Sequence, residues 1–177
     1  TFTLHVDGAR WREHTERTRD AVRAALSTGP HTPNEGDLVP VAKGNGYGFG
    51  LGRLARRIQW LADTSGGADR GGVGDTLAVG TYTEIEQVAS RCDASLLVLT
   101  PWRPFVVDPP AKGIAKRLIH TVGRLEDLEP LAERQPGARV VLERATSLRR
   151  HGLTAAGLRH AARALKKLPL QSAGVAF

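Results

Sequence analysis

Short apolar runs alternate along the chain with longer stretches in which apolar residues recur at helical spacing. The short runs are rich in valine, leucine and alanine and are bounded by glycine, proline or charged residues, which is typical of strands. They lie at Leu38–Ala42, Thr76–Thr81, Ser95–Thr100, Leu118–Val122, Ala138–Glu143 and Gln171–Phe177. Alternation of apolar and polar residues also predicts a short strand at Phe2–Val6.

Helical patterns occupy most of the intervals between these strands. Asp7 is predicted to cap a first helix that turns four apolar residues towards the core: Trp11, Val22, Ala25 and Leu26. A second, amphipathic helix follows from Leu51 to Ala62, and its polar face carries Arg53, Arg56 and Arg57. The alternation of strands and helices predicts an α/β chain with a parallel sheet.

Three further local signals refine this prediction. Thr83 and Glu86 have the spacing of a capping box before a short helix, and Thr154 is predicted to cap a helix that extends to Leu165. The helix after the fourth main strand carries Leu125, Leu128 and Leu131. Glycine, proline and small polar residues predict surface loops at Thr28–Gly36 and Ser65–Gly74.

The segment Val39–Gly50 carries most of the candidate chemistry. Its apolar strand ends at Lys43, and glycines follow at positions 44, 46, 48 and 50. Ligands of α/β proteins bind at the carboxyl ends of the strands, where the βα loops converge. An amine that leaves an apolar strand is expected to be partly desolvated, which favours the neutral form that forms Schiff bases with carbonyl groups. Lys43 is therefore a candidate nucleophile.

The spacing in this segment excludes two common glycine-rich motifs. A P-loop places its lysine after the glycines, whereas Lys43 precedes them, and the dinucleotide-binding pattern G-x-G-x-x-G is absent. The glycines would let backbone N–H groups or a flat ligand approach closely. The alternative is a strand-end lysine that reaches into solvent beside a flexible turn.

The composition limits the classes of function. A chain of 177 residues with 41% hydrophobic content can build one core, and the single cysteine, Cys92, excludes a disulfide framework or a multi-cysteine zinc site. The sequence contains neither a signal pattern nor an apolar run of about 18 residues, so we expect a cytoplasmic protein without a membrane span. The net charge is +7, but acidic residues interrupt the basic ones and aromatic residues make up only 5%, so we expect no nucleic-acid binding.

The lysine segment, Val41-Ala42-Lys43-Gly44-Asn45-Gly46-Tyr47-Gly48, resembles the motif Lys-Ala-Asn-Ala-Tyr-Gly-His-Gly of the alanine racemase family. Members of this family are fold-type III enzymes of pyridoxal 5'-phosphate (PLP). The resemblance implies that Lys43 holds PLP as an internal aldimine and removes the α-proton of an amino acid. It also implies that Tyr47 hydrogen-bonds the cofactor phosphate. Phe49 replaces the usual histidine.

The residues after the fifth main strand resemble a second segment of the family, Asp-Thr-Gly-Met-x-Arg-x-Gly. Thr146, Arg150 and Gly152 are retained. The resemblance implies that Arg150 contacts the phenolic oxygen of the cofactor and helps to bind the substrate carboxylate, a task that suits the planar guanidinium fork.

Five residues in or beyond these segments have competing interpretations. Glu143 stands where many family members have a lysine that orients the arginine, and it would supply a carboxylate there. From the residues alone, the alternative is an ion-pair cluster of Glu143, Arg149 and Arg150 at the strand end. His120 is interpreted as a core histidine rather than a catalyst, and Trp102 as a packed aromatic residue at the rim.

The resemblance implies an α/β fold, a partial (β/α)8 TIM-like barrel. A complete barrel has eight strands and about 250 residues, so residues 1–177 are expected to supply roughly the first six βα units and to end before closure, without the C-terminal β domain. The implied protein is a PLP-dependent amino-acid racemase, homodimeric at full length and inactive or weakly active as this chain. The alternatives are another fold-type III enzyme, such as an amino-acid decarboxylase or aldolase, and a non-catalytic PLP-binding protein.

Overall fold

The computed structural model describes residues 3, 5–27, 39–64, 75–105, 111–148 and 150–177. Within these ranges, five strands form one parallel sheet in the order of the sequence. They are β1 (Thr76–Val79), β2 (Ser95–Val98), β3 (Leu118–Val122), β4 (Arg139–Glu143) and β5 (Gln171–Ala176). Strands and helices alternate, and the open sheet is that of a partial (β/α)8 barrel, which confirms the predicted fold class.

The first predicted barrel strand, Leu38–Ala42, is reduced in the described part of the chain to one parallel bridge between Val41 and Ala78. The N–H of Ala42 donates to the carbonyl of Ala78 at 2.8 Å, and the N–H of Ala78 donates to the carbonyl of Pro40 at 2.8 Å. This segment therefore runs parallel to β1 along its outer edge, in the place of a first barrel strand.

In the described part of the chain, six helices accompany the sheet. They are α1 (Gly8–Ser27), α2 (Leu51–Thr64), α3 (Ile85–Ala89), α4 (Lys112–Ala115), α5 (Leu128–Arg134) and α6 (Ala155–Leu165), and short 3-10 turns at Tyr82–Glu84 and Leu125–Asp127 precede α3 and α5. Two predicted N-caps are present. The Asp7 carboxylate accepts from the N–H groups of Ala9 and Arg10, and the Thr154 hydroxyl accepts from Gly157 at 3.1 Å.

The hydrophobic core lies between the sheet and the helices. The buried face of α2 consists of Leu51, Ala55, Ile58 and Leu61, and its arginine face is exposed, as the periodicity predicts. All five residues of β3 are buried, since helices or loops cover both faces of this central strand. The sheet thus provides a rigid base for the loops that follow its strands.

His120 on β3 is a core residue, as predicted. It is 1% exposed, and its ring nitrogens lie 2.9 Å from the Tyr82 hydroxyl and 2.9 Å from the Gln135 amide oxygen. Burial lowers the pKa of His120 to about 4 and raises the pKa of Tyr82. Trp102 is also buried, which confirms its interpretation as a packed residue, and Cys92 is buried as well.

Three local predictions are wrong. The capping box is formed by Thr81 and Glu84, two residues earlier than predicted, because a 3-10 turn precedes α3. Ala25 is exposed on α1, and Leu125 is 40% exposed because it lies in the turn before α5 rather than on the helix.

Some predictions fall on residues that the structure does not describe. The predicted strand at Phe2–Val6 lies partly outside the described residues, and its described residues, Thr3, His5 and Val6, belong to no strand. The predicted loops at Thr28–Gly36 and Ser65–Gly74 lie wholly outside them, and so does Arg149.

Candidate active site

Lys43 lies directly after the segment that pairs with β1, at the carboxyl end of the sheet. Its side chain is exposed, and its amine forms no ion pair or hydrogen bond with the described residues. The expected desolvation of Lys43 is therefore wrong for the chain as described. The amine is instead accessible and uncommitted, as an amine that reacts with a carbonyl compound must be.

The glycines after Lys43 form a compact loop rather than an open linker. The N–H of Gly46 donates to the carbonyl of Lys43 at 3.0 Å, and the N–H of Gly50 donates to the carbonyl of Asn45 at 2.9 Å. The Asn45 side chain accepts from the N–H of Gly48 at 3.0 Å. Position 46 requires glycine, because an added Cβ would lie 2.6 Å from the carbonyl carbon of Gly50.

Tyr47 is held in the left-handed region of backbone conformation, with φ of 55°. Among the described residues it is the only non-glycine residue with a positive φ. A side chain in that region costs energy, and such positions cluster at functional sites. The ring is 59% exposed, so its hydroxyl is available to a ligand at the carboxyl end of the sheet.

Glu84 connects the lysine loop to the end of β1. Its Oε1 accepts from the N–H of Gly44 at 2.6 Å, and its Oε2 accepts from Gly80 at 2.6 Å and from Thr81 at 3.1 Å. The sequence analysis did not identify Glu84. Thr81 and Glu84 have the same capping-box spacing as Thr83 and Glu86, the pair that was predicted instead.

Arg150 lies in the loop after β4, at the same end of the sheet as Lys43. The loop returns to the strand through a bridge between Arg144 and Leu153, and the N–H of Leu153 donates to the carbonyl of Glu143 at 2.7 Å. Gly152 makes this return possible, because it has φ of 111° and an added Cβ would lie 2.5 Å from the N–H of Ala145. Arg150 itself is exposed.

Glu143 ends β4 beside this loop. Its Oε2 is buried and has no hydrogen-bond partner among the described residues, and a Cβ added to Gly123 would lie 3.3 Å from it. The alternative ion-pair cluster with Arg150 does not form in the described part of the chain. Glu143 thus offers an unused acceptor at the carboxyl end of the sheet.

The three predicted site residues lie at one end of the sheet but not in mutual contact. Lys43 and Tyr47 follow the segment beside β1, whereas Arg150 follows β4, and β1, β2 and β3 lie between them. A ligand of the site would therefore lie across the carboxyl ends of these strands.

An ion-pair cluster that the sequence analysis did not anticipate lies at the same end. Asp127, whose side chain is 1% exposed, accepts from Arg103 at 2.6 Å and from Arg124 at 2.7 Å. The hydrogen bond with Asp127 raises the pKa of Arg124. Because Arg103 follows β2 and Asp127 follows β3, the cluster connects two neighbouring βα loops.

The residues present have the chemistry that three groups of a PLP molecule require. An uncommitted amine suits the aldehyde, an exposed phenol suits the phosphate, and an exposed guanidinium suits an anionic oxygen. Within the described ranges, no group of three or more His, Cys, Asp and Glu residues is arranged to hold a metal ion. In the same ranges, no helix combines the length and the apolar character that a membrane crossing needs.

Fold and site together define a class of protein in which a lysine-bearing glycine loop lies at the carboxyl ends of the strands of a parallel α/β sheet. The family model described as alanine racemase, N-terminal domain, matches residues 19–177. The chain therefore belongs to the alanine racemase N-terminal domain family.

A solved structure with a similar fold is the crystal structure of alanine racemase from Oenococcus oeni. The TM-score is 0.57 at 22% sequence identity, and the match covers 77% of this chain and 36% of that chain. The chain thus spans well under two thirds of the length of that racemase, and at this identity the likeness concerns the fold. No curated protein matches the sequence.

Proposed function

We propose that this chain is the lysine-bearing part of a PLP-dependent amino-acid racemase. One observation carries the proposal: in a chain of this family, Lys43 presents an uncommitted amine at the carboxyl end of a segment paired with β1. Ligands of parallel α/β folds bind at that end of the sheet. The substrate class is a small amino acid, and the cofactor is PLP.

Each residue of the proposed site has a task that suits its chemistry. Lys43 binds the cofactor covalently through its amine and exchanges a proton at the α-carbon of the substrate. Tyr47 donates its hydroxyl hydrogen to the cofactor phosphate, and Arg150 binds the phenolic oxygen and the substrate carboxylate. PLP, when bound, supplies the electron sink that makes the α-proton removable.

Glu143 is proposed to orient Arg150. Its buried Oε2 lacks a hydrogen-bond partner among the described residues, and an ionised carboxylate oxygen is a strong acceptor for a guanidinium N–H. Arg150 is exposed and lies in the loop that follows Glu143, so its guanidinium can turn towards this carboxylate when a ligand binds. The carboxylate would then hold the guanidinium in one direction across the sheet.

The isolated chain is proposed to be weakly active or inactive. By the resemblance, racemisation needs a second acid or base on the opposite face of the substrate, and in this family that group belongs to the partner subunit. The full-length protein is accordingly proposed to be a cytoplasmic homodimer.

Covalent trapping tests the proposed role of Lys43. Purified chain is incubated with PLP, reduced with borohydride and mapped by peptide mass spectrometry. We expect the pyridoxyl group on the peptide that contains Lys43, and we expect Lys43→Ala to abolish that label. Lys112→Ala, at an exposed lysine on α4, is the matched control and should retain it. Equal labelling of the exposed lysines, without preference for Lys43, would contradict the proposal.

A further inference from the structure

Glu84 holds the backbone beside Lys43 by hydrogen bonds from two separate segments. Its Oε1 accepts from the N–H of Gly44, the residue directly after the lysine, at 2.6 Å. Its Oε2 accepts from the N–H groups of Gly80 and Thr81 at the end of β1. One carboxylate therefore connects the lysine loop with the next βα unit, 40 residues further along the chain.

The backbone on the other side of Lys43 is fixed as well. The N–H of Ala42 donates to the carbonyl of Ala78 on β1 at 2.8 Å. Lys43 thus lies between two anchored N–H groups, one bound to β1 and one bound to Glu84. The contact with the strand end is close, because a Cβ added to Gly80 would lie 3.0 Å from the Cβ of Lys43.

The carboxylate leaves the amine of Lys43 free. A glutamate beside a lysine could form an ion pair with it and thereby compete with a ligand for the amine. In the described part of the chain, Glu84 and Lys43 form no such pair, and both carboxylate oxygens accept from backbone N–H groups instead. Hydrogen bonds to an ionised acceptor are stronger than neutral ones, so the anchor is firm.

We infer that Glu84 is a positioning residue that fixes the direction in which Lys43 presents its amine. This inference rests on the proposed function, because positioning matters only if Lys43 reacts. An amine held within reach of a bound carbonyl group reacts far faster than one on a mobile backbone. The role proposed for Glu84 is exerted through the backbone beside Lys43 and requires no contact with the cofactor or the substrate.

Hydrogen exchange tests the anchor without any ligand. In Glu84→Gln the amide oxygen can accept from only one of the two segments, and its NH₂ group faces the other. We expect the N–H of Gly44 to exchange at least about tenfold faster in this variant, measured by NMR. The N–H of Ala42, which donates to β1, serves as an internal reference and should keep its rate.

Two further variants distinguish loss of the hydrogen bond between Glu84 and Gly44 from loss of a negative charge. Glu86→Gln makes the same charge change at an exposed residue two positions along the chain and should behave like the wild type. Glu84→Asp keeps the charge, and its shorter side chain should retain the N–H groups of its own turn while losing Gly44. It therefore tests the same bond if Glu84→Gln does not fold.

Covalent trapping tests the consequence for Lys43. We expect the initial rate of borohydride trapping with PLP at Lys43 to fall at least about tenfold in Glu84→Gln and in Glu84→Asp, measured at a temperature at which every variant is folded. Unchanged exchange at Gly44 would overturn the inference, and so would faster exchange with an unchanged trapping rate. If the wild type is not trapped at Lys43, the proposed function fails, whereas the exchange measurement still decides whether the anchor exists.

Discussion

Tyr47 shows how a single residue of the lysine loop carries backbone strain. The loop turns through glycines at 44, 46, 48 and 50, all with positive φ, and Tyr47 adopts the same region with a bulky side chain. The left-handed conformation costs a non-glycine residue about 1–2 kcal/mol. Strain of this kind clusters at functional sites, in keeping with the ligand-binding role proposed for the Tyr47 hydroxyl.

Replacement of Tyr47 by glycine should therefore not destabilise the protein. We expect the free energy of unfolding of Tyr47→Gly to be unchanged or higher by up to about 1 kcal/mol, since relief of strain offsets the greater freedom of the unfolded chain. Phe49→Gly, in the same loop but without positive φ, should lower it. Urea unfolding of both variants measures the difference, and a clear loss of stability in Tyr47→Gly would contradict the strain argument.

His120, on the central strand β3, is expected to make the stability of the protein depend on pH in the acid range. Its folded-state pKa is about 4, against an ordinary value of 6.5, because burial disfavours the charged ring. The unfolded chain therefore binds a proton that the folded chain does not, and stability falls as the pH drops from 6.5 towards 4. The slope is about 1.4 kcal/mol per pH unit, or about 3 kcal/mol in total.

His120→Gln should remove this contribution. The variant is expected to be less stable than the wild type at pH 7, because it disturbs the hydrogen bonds to Tyr82 and Gln135, but to lose less stability between pH 6.5 and 4. Urea unfolding across this pH range measures both slopes. Parallel slopes for the two proteins would show that other groups determine the acid response.

The ion-pair cluster around Asp127 joins the loop after β2 to the turn before α5. Removing this buried carboxylate leaves two arginines without their acceptor, so we expect Asp127→Ala to cost about 2–3 kcal/mol of stability. Glu126 is 67% exposed and lies 3.5 Å from Arg124, so Glu126→Ala should change stability by less than about 0.5 kcal/mol. Thermal unfolding compares the two neighbours, and similar losses would contradict a special role for Asp127.

The sequence predicted the strands and helices better than the turns that connect them. Apolar periodicity located all five strands and the buried face of α2, because burial decides both. It misplaced the capping box, since Thr81 and Thr83 are followed by glutamates at the same spacing and only the folded turn distinguishes them. Sequence analysis singled out Lys43 as a candidate from its local motif. It missed Glu84, because the hydrogen bond of Glu84 to Gly44 joins residues that are 40 positions apart in the chain.

At the scale of the whole molecule, the sheet has an open side at β5. Five of the six residues of β5 are exposed, Val175 is 48% exposed, and among the described residues only β4 pairs with this strand. An exposed strand edge with apolar side chains promotes pairing with another chain. The net charge of +7 opposes such association only at low salt.

Self-association of the 177-residue chain should therefore depend on β5. We expect concentration-dependent association in physiological salt, and we expect Val175→Lys to reduce it, because lysine on an edge strand disfavours pairing. Leu148→Lys, at a residue that is 70% exposed in a loop, should have a smaller effect. Sedimentation velocity at several concentrations measures this, and equal effects of the two substitutions would point to general hydrophobic contact instead.

The contact between Gly44 and Glu84 also determines how the chain can be divided. A break between residues 64 and 75 would place Lys43 and Glu84 on separate polypeptides. Pyridoxyl labelling of Lys43 in the first fragment would then depend on the second fragment, which carries both Glu84 and Arg150. The lysine would become a chemical reporter of fragment reassembly.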